Sequence, residues 1–185
     1  YSGRCFDFVA PDPEVICPED VAHGLAHQCR FNGQCLRYYS VAEHSYLVAK
    51  RAVEIMVLNQ WGPEDQAAGK AAALMHDAPE AYIGDIVTPL RRAGMASAIQ
   101  VVEAKVTAAV AQRFHLDARP EVWDMVRQAD LDLLAIEQRD IMAPAPQPWP
   151  GLGEVPVHST VKVIGMSPQQ AKQTFLRTAH HYGVV

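Results

Sequence analysis

Leu74-Met75-His76-Asp77-Ala78-Pro79-Glu80, continued at once by Ala81-Tyr82-Ile83-Gly84-Asp85, is the stretch on which the reading of the chain depends. A His and an Asp stand side by side at the end of an Ala-rich run that reads as helix. Neighbouring helical residues point about 100° apart, so His76 and Asp77 can approach one ion from two directions. Glu80 follows one turn later on the same side. Imidazole nitrogen with carboxylate oxygen is a ligand set for a divalent transition metal. One helix cannot close a coordination sphere, so other segments must contribute.

Working outward, the chain reads as helix after helix. Pro63-Glu64-Asp65 opens the helix that carries the His-Asp pair, and Pro79 is placed to kink it just beyond. Before it, Ser40-Val41-Ala42-Glu43 has the form of a capping box, so a helix starts at Val41 with His44 in its first turn. Val41, Leu47, Val48, Ala52, Ile55 and Met56 give it an apolar face. An earlier helix opens at Pro18-Glu19-Asp20, turns Val21, Leu25 and Ala26 inward, and ends near Arg30. After the pair, Thr88-Pro89-Leu90-Arg91-Arg92 reads as a turn. Ile99, Val102, Val106 and Val110 mark a further helix. Pro120 starts another, with Val122, Val126, Ala129, Leu133 and Ile136 inward and Asp130 on the shoulder. Arg127 lies one turn before Asp130, and Asp132 is a rival for any role given to Asp130. Ser167-Pro168 opens a last helix that His180 and His181 close. Residues 143–156, rich in Pro and Gly around Trp149, read as a long loop that is either a lid or a connector. Two short alternating runs, 4–9 and 161–164, are the only strand signals and predict at most one small two-stranded ribbon.

Composition limits the function. The chain has 185 residues, 49% hydrophobic and 20% charged, which predicts one domain over 1–185 with a sizeable core. A net charge of −5 argues against a stable nucleic-acid partner but leaves room for a local basic pocket. No apolar run reaches the roughly 18 residues of a membrane span. No signal-peptide pattern opens the chain, and Tyr1 in place of Met points to residues before it. Cys5, Cys17, Cys29 and Cys35 show no CxxC spacing, which argues against a structural zinc site; of disulfides and reduced cytoplasmic thiols, the second is the better reading. His23 and His27 are spaced for a metal, but no third ligand is apparent, so they read as a solvated pair. Dinucleotide-binding, P-loop and nucleophile-elbow motifs are absent.

The ordered pattern H…HD…D, at His44, His76-Asp77 and Asp130, resembles the HD-domain metal-dependent phosphohydrolases. The flanks sharpen the likeness. Tyr39-Ser40-Val41-Ala42-Glu43-His44-Ser45, His76-Asp77-Ala78-Pro79-Glu80 through Gly84-Asp85 and Thr88-Pro89, and Arg127-Gln128-Ala129-Asp130 are similar to the three ligand segments of bacterial 5′-deoxynucleotidases and phage dATP triphosphohydrolases. In those relatives a Lys is usual where Arg127 stands here. An Arg and a bulky aromatic precede the first His, matched here by Arg30 and Phe31. Relatives with Trp at the second position use it to shape the deoxyribose pocket.

The resemblance implies an all-α HD-domain helical bundle. It implies one divalent ion (Zn, Co, Mn, Ni or Fe) on His44, His76, Asp77 and Asp130, with additional Mg accompanying a triphosphate. It also implies a phosphate clamp of Arg30, Arg91 and Arg127, whose guanidinium groups suit bidentate contact. Glu80 is the expected catalytic carboxylate and Asp85 a supporting or ribose-contacting one. The expected activity is hydrolysis of purine deoxynucleotides, in a cytoplasmic homo-oligomer, dimer or hexamer. A phosphodiesterase on a cyclic or signalling nucleotide and a non-catalytic nucleotide or metal sensor are the alternatives; an intact ligand set with Glu80 and three cations disfavours the sensor.

Overall fold

Pro18, Pro63, Pro120 and Pro168 each stand in the first turn of a helix, where the missing N–H would have had no intrahelical partner. They open α1 (Pro18–His27), α3 (Pro63–Met75), α7 (Pro120–Ile141) and α8 (Pro168–His181). Between them lie α2 (Val41–Leu58), the short α4 (Glu80–Ile83) and α5 (Thr88–Leu90), and α6 (Ala96–Arg113). The computed structural model describes residues 1–149 and 151–185, and the side chains of these apart from 95–98. The fold is an all-helical bundle, as the periodicity predicts. Position 150 of the expected long loop lies outside the described residues.

Helix α2 runs through the middle, packed against α1, α3, α7 and α8. Its first two turns are buried almost all round, polar residues included: Glu43, His44 and Ser45 are each inaccessible to solvent. A helix buried on every side normally carries only apolar residues. Polar groups there must be satisfied by neighbours, and that requirement shapes the site.

The two-stranded ribbon expected from the terminal segments is not formed. Carboxylates satisfy the backbone of residues 163–166 instead. Asp140 accepts from Val163 N at 2.9 Å, and buried Glu43 accepts from Ile164 N and Gly165 N at 3.1 and 3.0 Å and from Met166 N at 2.6 Å. Glu43 is thereby drawn away from the expected capping box. Ser40 Oγ still accepts from Glu43 N at 3.2 Å, but the reciprocal half is missing. The complete box forms at the start of α8, between Ser167 and Gln170. Among the described residues the β-pairing is a single antiparallel bridge, Cys29 with Ser40.

That bridge matters for function. Arg30 N donates to Tyr39 O at 3.0 Å and Val41 N to Gln28 O at 3.1 Å, so the segment after α1 is laid along the start of α2. Phe31, Asn32 and Gly33 then turn with φ of 55°, 51° and 74°. Two non-glycine residues in the left-handed region are strained, and the strain sits next to Arg30. On the other side, α1 meets α4 so closely that a Cβ on Gly24 would lie 2.9 Å from Ala81 O. Only glycine admits that approach.

Candidate metal centre and its surroundings

The helix carrying the His-Asp pair ends earlier than its pattern suggests. α3 stops at Met75, residues 76–79 form a turn, and α4 begins at Glu80. Pro79 explains the break: it has no N–H to continue the ladder and disfavours helical geometry just before it. Tighter bonds take over, Ala78 N to Met75 O at 3.0 Å and Glu80 N to Asp77 O at 2.9 Å. His76 and Asp77 are therefore presented from a turn, facing the buried start of α2.

Across that gap His44, His76 and Asp77 bring one donor atom each to within 4.8 Å of one another, a grouping able to hold a metal ion. His44 Nε2 lies 3.4 Å from Asp77 Oδ2 and 3.2 Å from Asp130 Oδ1, and His76 Nε2 lies 3.2 Å from Asp77 Oδ2. The opposite nitrogens are occupied. His44 Nδ1 donates to Glu137 Oε1 at 2.7 Å, and His76 Nδ1 donates to Ala73 O at 2.8 Å. Both Nε2 atoms are buried without a hydrogen-bond partner, as is Glu80 Oε2. Buried polar atoms are ordinarily paired. Two unpartnered imidazole nitrogens converging with the Asp77 carboxylate fit a divalent cation by geometry and by donor type, and Asp130 joins them at the His44 side.

The electrostatics agree. Burial pushes the Asp77 carboxyl up, but the charge of His76 beside it, then His44 and Arg30, bring it well below the usual range. Burial pulls His76 down, while Asp77 more than offsets this and raises it to about 9. For Asp130, burial raises the carboxyl, but His44 beside it brings it below its ordinary value.

Asp132, the rival on α7, faces elsewhere. It accepts from Arg51 Nε at 2.8 Å and pairs with Arg51 Nη2 at 2.7 Å. Glu80 flanks the group. Burial first, then the charges of Asp77 and Asp85, push its carboxyl up to about 9. Asp85 is also raised, chiefly by burial. Gln28 ties the two together: its Nε2 donates to Glu80 O at 2.8 Å and its Oε1 accepts from Asp85 N at 3.0 Å.

The three arginines part company. Arg30 Nη1 lies 3.7 Å from Asp77 Oδ2, at the edge of the group. Arg91 is held by Glu103 at 2.8 Å and donates from Nε to Ile86 O at 3.0 Å, with Glu80 and Asp85 close enough to raise it further. Arg127 pairs with Asp124 at the surface, its side chain 66% exposed. Phe31 carries the Arg30 guanidinium 5.3 Å from its ring centre, and the Trp149 ring stands 6.0 Å from the Phe31 ring. The long loop therefore touches the rim of the site. The His23 and His27 rings meet at 4.1 Å, tilted by 31°, and Tyr1 stacks on His23; they join no metal-holding group among the described residues. The four cysteines are free thiols.

Sequence reasoning missed Glu137. It is wholly buried on α7 and accepts from His44 Nδ1 and from Tyr39 Oη, each at 2.7 Å. Burial raises its carboxyl, but Arg30 and His44 bring it down. Its position was nonetheless readable, because Asp130, Leu133 and Glu137 follow the four-and-three spacing of one helix face.

Comparison with known proteins agrees with this geometry. The model of the family described as 5′-deoxynucleotidase YfbR-like matches residues 31–140, which include His44, His76, Asp77 and Asp130. The chain is 32% identical to the uncharacterized protein YfdR of Escherichia coli (strain K12) over 176 residues, 95% of this chain and 89% of that one. It is 41% identical to the uncharacterized protein RCAP_rcc00048 of Rhodobacter capsulatus over 119 residues, 63% of this chain and 57% of that one. The family match supports a metal-dependent nucleotide phosphohydrolase in general terms. No helix among the described residues is long and apolar enough to cross a membrane.

Proposed function

The chain belongs to the YfbR-like 5′-deoxynucleotidase family, and from that premise we propose that it hydrolyses purine deoxynucleotides at a divalent metal held by His44, His76, Asp77 and Asp130. The observation that carries the reading is the pair of buried, unpartnered Nε2 atoms of His44 and His76 beside two carboxylates. When bound, such an ion polarises a phosphoryl oxygen and makes water a better nucleophile near neutral pH.

This chain's own residues supply the rest. Arg30 stands at the edge of the group, where its guanidinium can face a phosphate. Arg127 lies one turn before Asp130, and exposed ion pairs such as its own with Asp124 are weak enough to exchange for a stronger anion. Arg91, between Glu103 and the Glu80–Asp85 segment, is the third cation of the clamp. Glu80 Oε2 is buried and unpartnered, so its carboxyl is free to orient water or pass a proton. In the hydrolysis, water oxygen bonds to the α-phosphorus and the P–O5′ bond breaks; the 5′-oxygen leaves with a proton from Glu80, and the attacking water gives one of its protons back to that carboxylate. The same bond is cut whether phosphate leaves a monophosphate or triphosphate leaves a triphosphate. Asp85 supports Glu80 through Gln28 or meets the ribose. Phe31 and Trp149 line the approach.

The test is product identification. Protein loaded with Mn²⁺ or Co²⁺ is incubated with deoxy- and ribonucleotide mono- and triphosphates and with cyclic nucleotides. Release of phosphate or triphosphate with a free deoxynucleoside supports the proposal. Opening of cyclic nucleotides alone supports the phosphodiesterase reading instead, and tight nucleotide binding without turnover supports a sensor.

A further inference from the structure

Two groups of opposite character depend on one carboxylate. Glu137, with no exposed surface, receives the Nδ1–H of His44 and the hydroxyl of Tyr39 at 2.7 Å each on Oε1. Arg30 Nε lies 3.2 Å from the same oxygen, and Arg30 Nη2 donates to Oε2 at 3.4 Å. A buried carboxylate is costly unless paired, and this one is paired on both oxygens. An ionised carboxylate can only accept, so the His44 proton must sit on Nδ1. The Nε2 lone pair then points at Asp77 and Asp130, where a cation is wanted and a second N–H would block it.

Arg30 has two carboxylates within reach. Glu137 engages its Nε and Nη2, while Asp77 lies farther off, 3.7 Å from Nη1. If Glu137 lost its charge, the guanidinium would turn onto Asp77 and occupy the oxygen that a cation needs.

We infer that Glu137 is a positioning residue that fixes the Nδ1–H tautomer of His44 and keeps Arg30 off Asp77, so that ion binding and the phosphate-facing guanidinium depend on one buried charge. The inference rests on the metal reading of the site but concerns a residue outside its ligand set. Groups that orient metal-binding imidazoles typically change metal affinity about 10–100-fold when altered.

The experiment uses the full chain with Zn²⁺ as the probe. Zn²⁺ affinity is measured by chelator competition for the parent, Glu137→Gln and Tyr39→Phe. Imidazole ¹⁵N–¹H correlation spectra are recorded on the Zn²⁺-loaded parent. We expect the His44 ring proton on Nδ1 in the parent and an affinity lower by about 10–100-fold in Glu137→Gln. Tyr39→Phe, which removes a neighbouring donor but leaves the Glu137 charge, should bind Zn²⁺ close to the parent. A His44 ring proton on Nε2 overturns the inference even if Glu137→Gln fails to fold. Parent-like affinity in Glu137→Gln overturns it while leaving the metal reading intact. A parent that does not bind Zn²⁺ overturns the metal reading and this inference with it.

Discussion

His44, one turn into α2, and Asp77, in the turn that follows α3, face each other with Nε2 3.4 Å from Oδ2. An imidazole lone pair and a carboxylate oxygen repel at this separation unless positive charge lies between them. The bundle brings them together across its centre, with Asp130 at 3.2 Å from the same nitrogen. Positive charge placed between them would be held by all three side chains.

Metal should act on stability as well as on activity. An ion that binds the folded chain alone stabilises it by about 2.7 kcal/mol at a hundredfold excess over Kd. Chelation of the loaded parent should lower Tm by several degrees. The Asp77→Asn variant should show almost no response to metal or chelator. A differential scanning measurement in which parent and variant respond alike would contradict the assignment.

Asp130 and Asp132 separate cleanly by what they touch. Asp130→Asn should reduce metal content and leave Tm of the metal-free protein nearly unchanged. Asp132→Asn weakens the pairing of the mostly buried Arg51, so it should lower metal-free stability by roughly 1–3 kcal/mol while metal content stays at the parent value. Metal analysis and denaturant titration on the two variants read this directly, and the reverse pattern would identify Asp132 as the ligand.

Much of this was legible in the sequence for a local reason. His76, Asp77 and Glu80 are close in the chain, so one turn of backbone gathers them whatever the rest does. His44 and Asp130 could be placed because each stands on a strongly patterned helix. Glu137 could not be singled out by type, since a glutamate on a helix is ordinarily solvated; only its register with Asp130 marks it. The break at Pro79 was legible, but it was expected just beyond the His-Asp pair, whereas α3 ends just before it, at Met75. The absent ribbon has a non-local cause. The backbone of 163–166 is satisfied by Glu43 and Asp140, from distant helices, and no alternation of residues 161–164 records that.

Glu43 offers a test of that account. It is buried and accepts three backbone N–H groups. Glu43→Ala leaves those donors unpaired and should cost roughly 2–4 kcal/mol of folding stability, with early loosening of the segment before α8. Denaturant unfolding and amide exchange at residues 164–166 would show it. Unchanged protection there would mean the segment is held by something else.

Glu80 should divide chemistry from binding. Glu80→Gln keeps the shape and should keep metal and nucleotide affinity, while turnover falls roughly 10²–10⁴-fold. A pH signature accompanies this. In the metal-free chain the Glu80 carboxyl rises from 4.5 to about 9, through burial and then the charges of Asp77 and Asp85. The folded state therefore holds a proton that the unfolded state has released, and stability falls as pH rises through that window. Metal-free Glu80→Gln should gain on the parent in Tm between pH 5 and pH 8, with the difference closing near pH 4. Arg127→Ala should instead raise KM with little change in metal content, which steady-state kinetics separates from the Glu80 effect.

The central claim is that hydrolysis occurs at the His44–His76–Asp77–Asp130 centre. The most direct measurement compares Mn²⁺-treated parent with the His76→Ala/Asp77→Ala double variant, reading bound metal and the phosphate or triphosphate released from purine deoxynucleotides in the same samples. The account predicts about one ion per chain and steady product release for the parent, with both lost together in the double variant. Full metal occupancy in the double variant, or unchanged product release without bound metal, would contradict it.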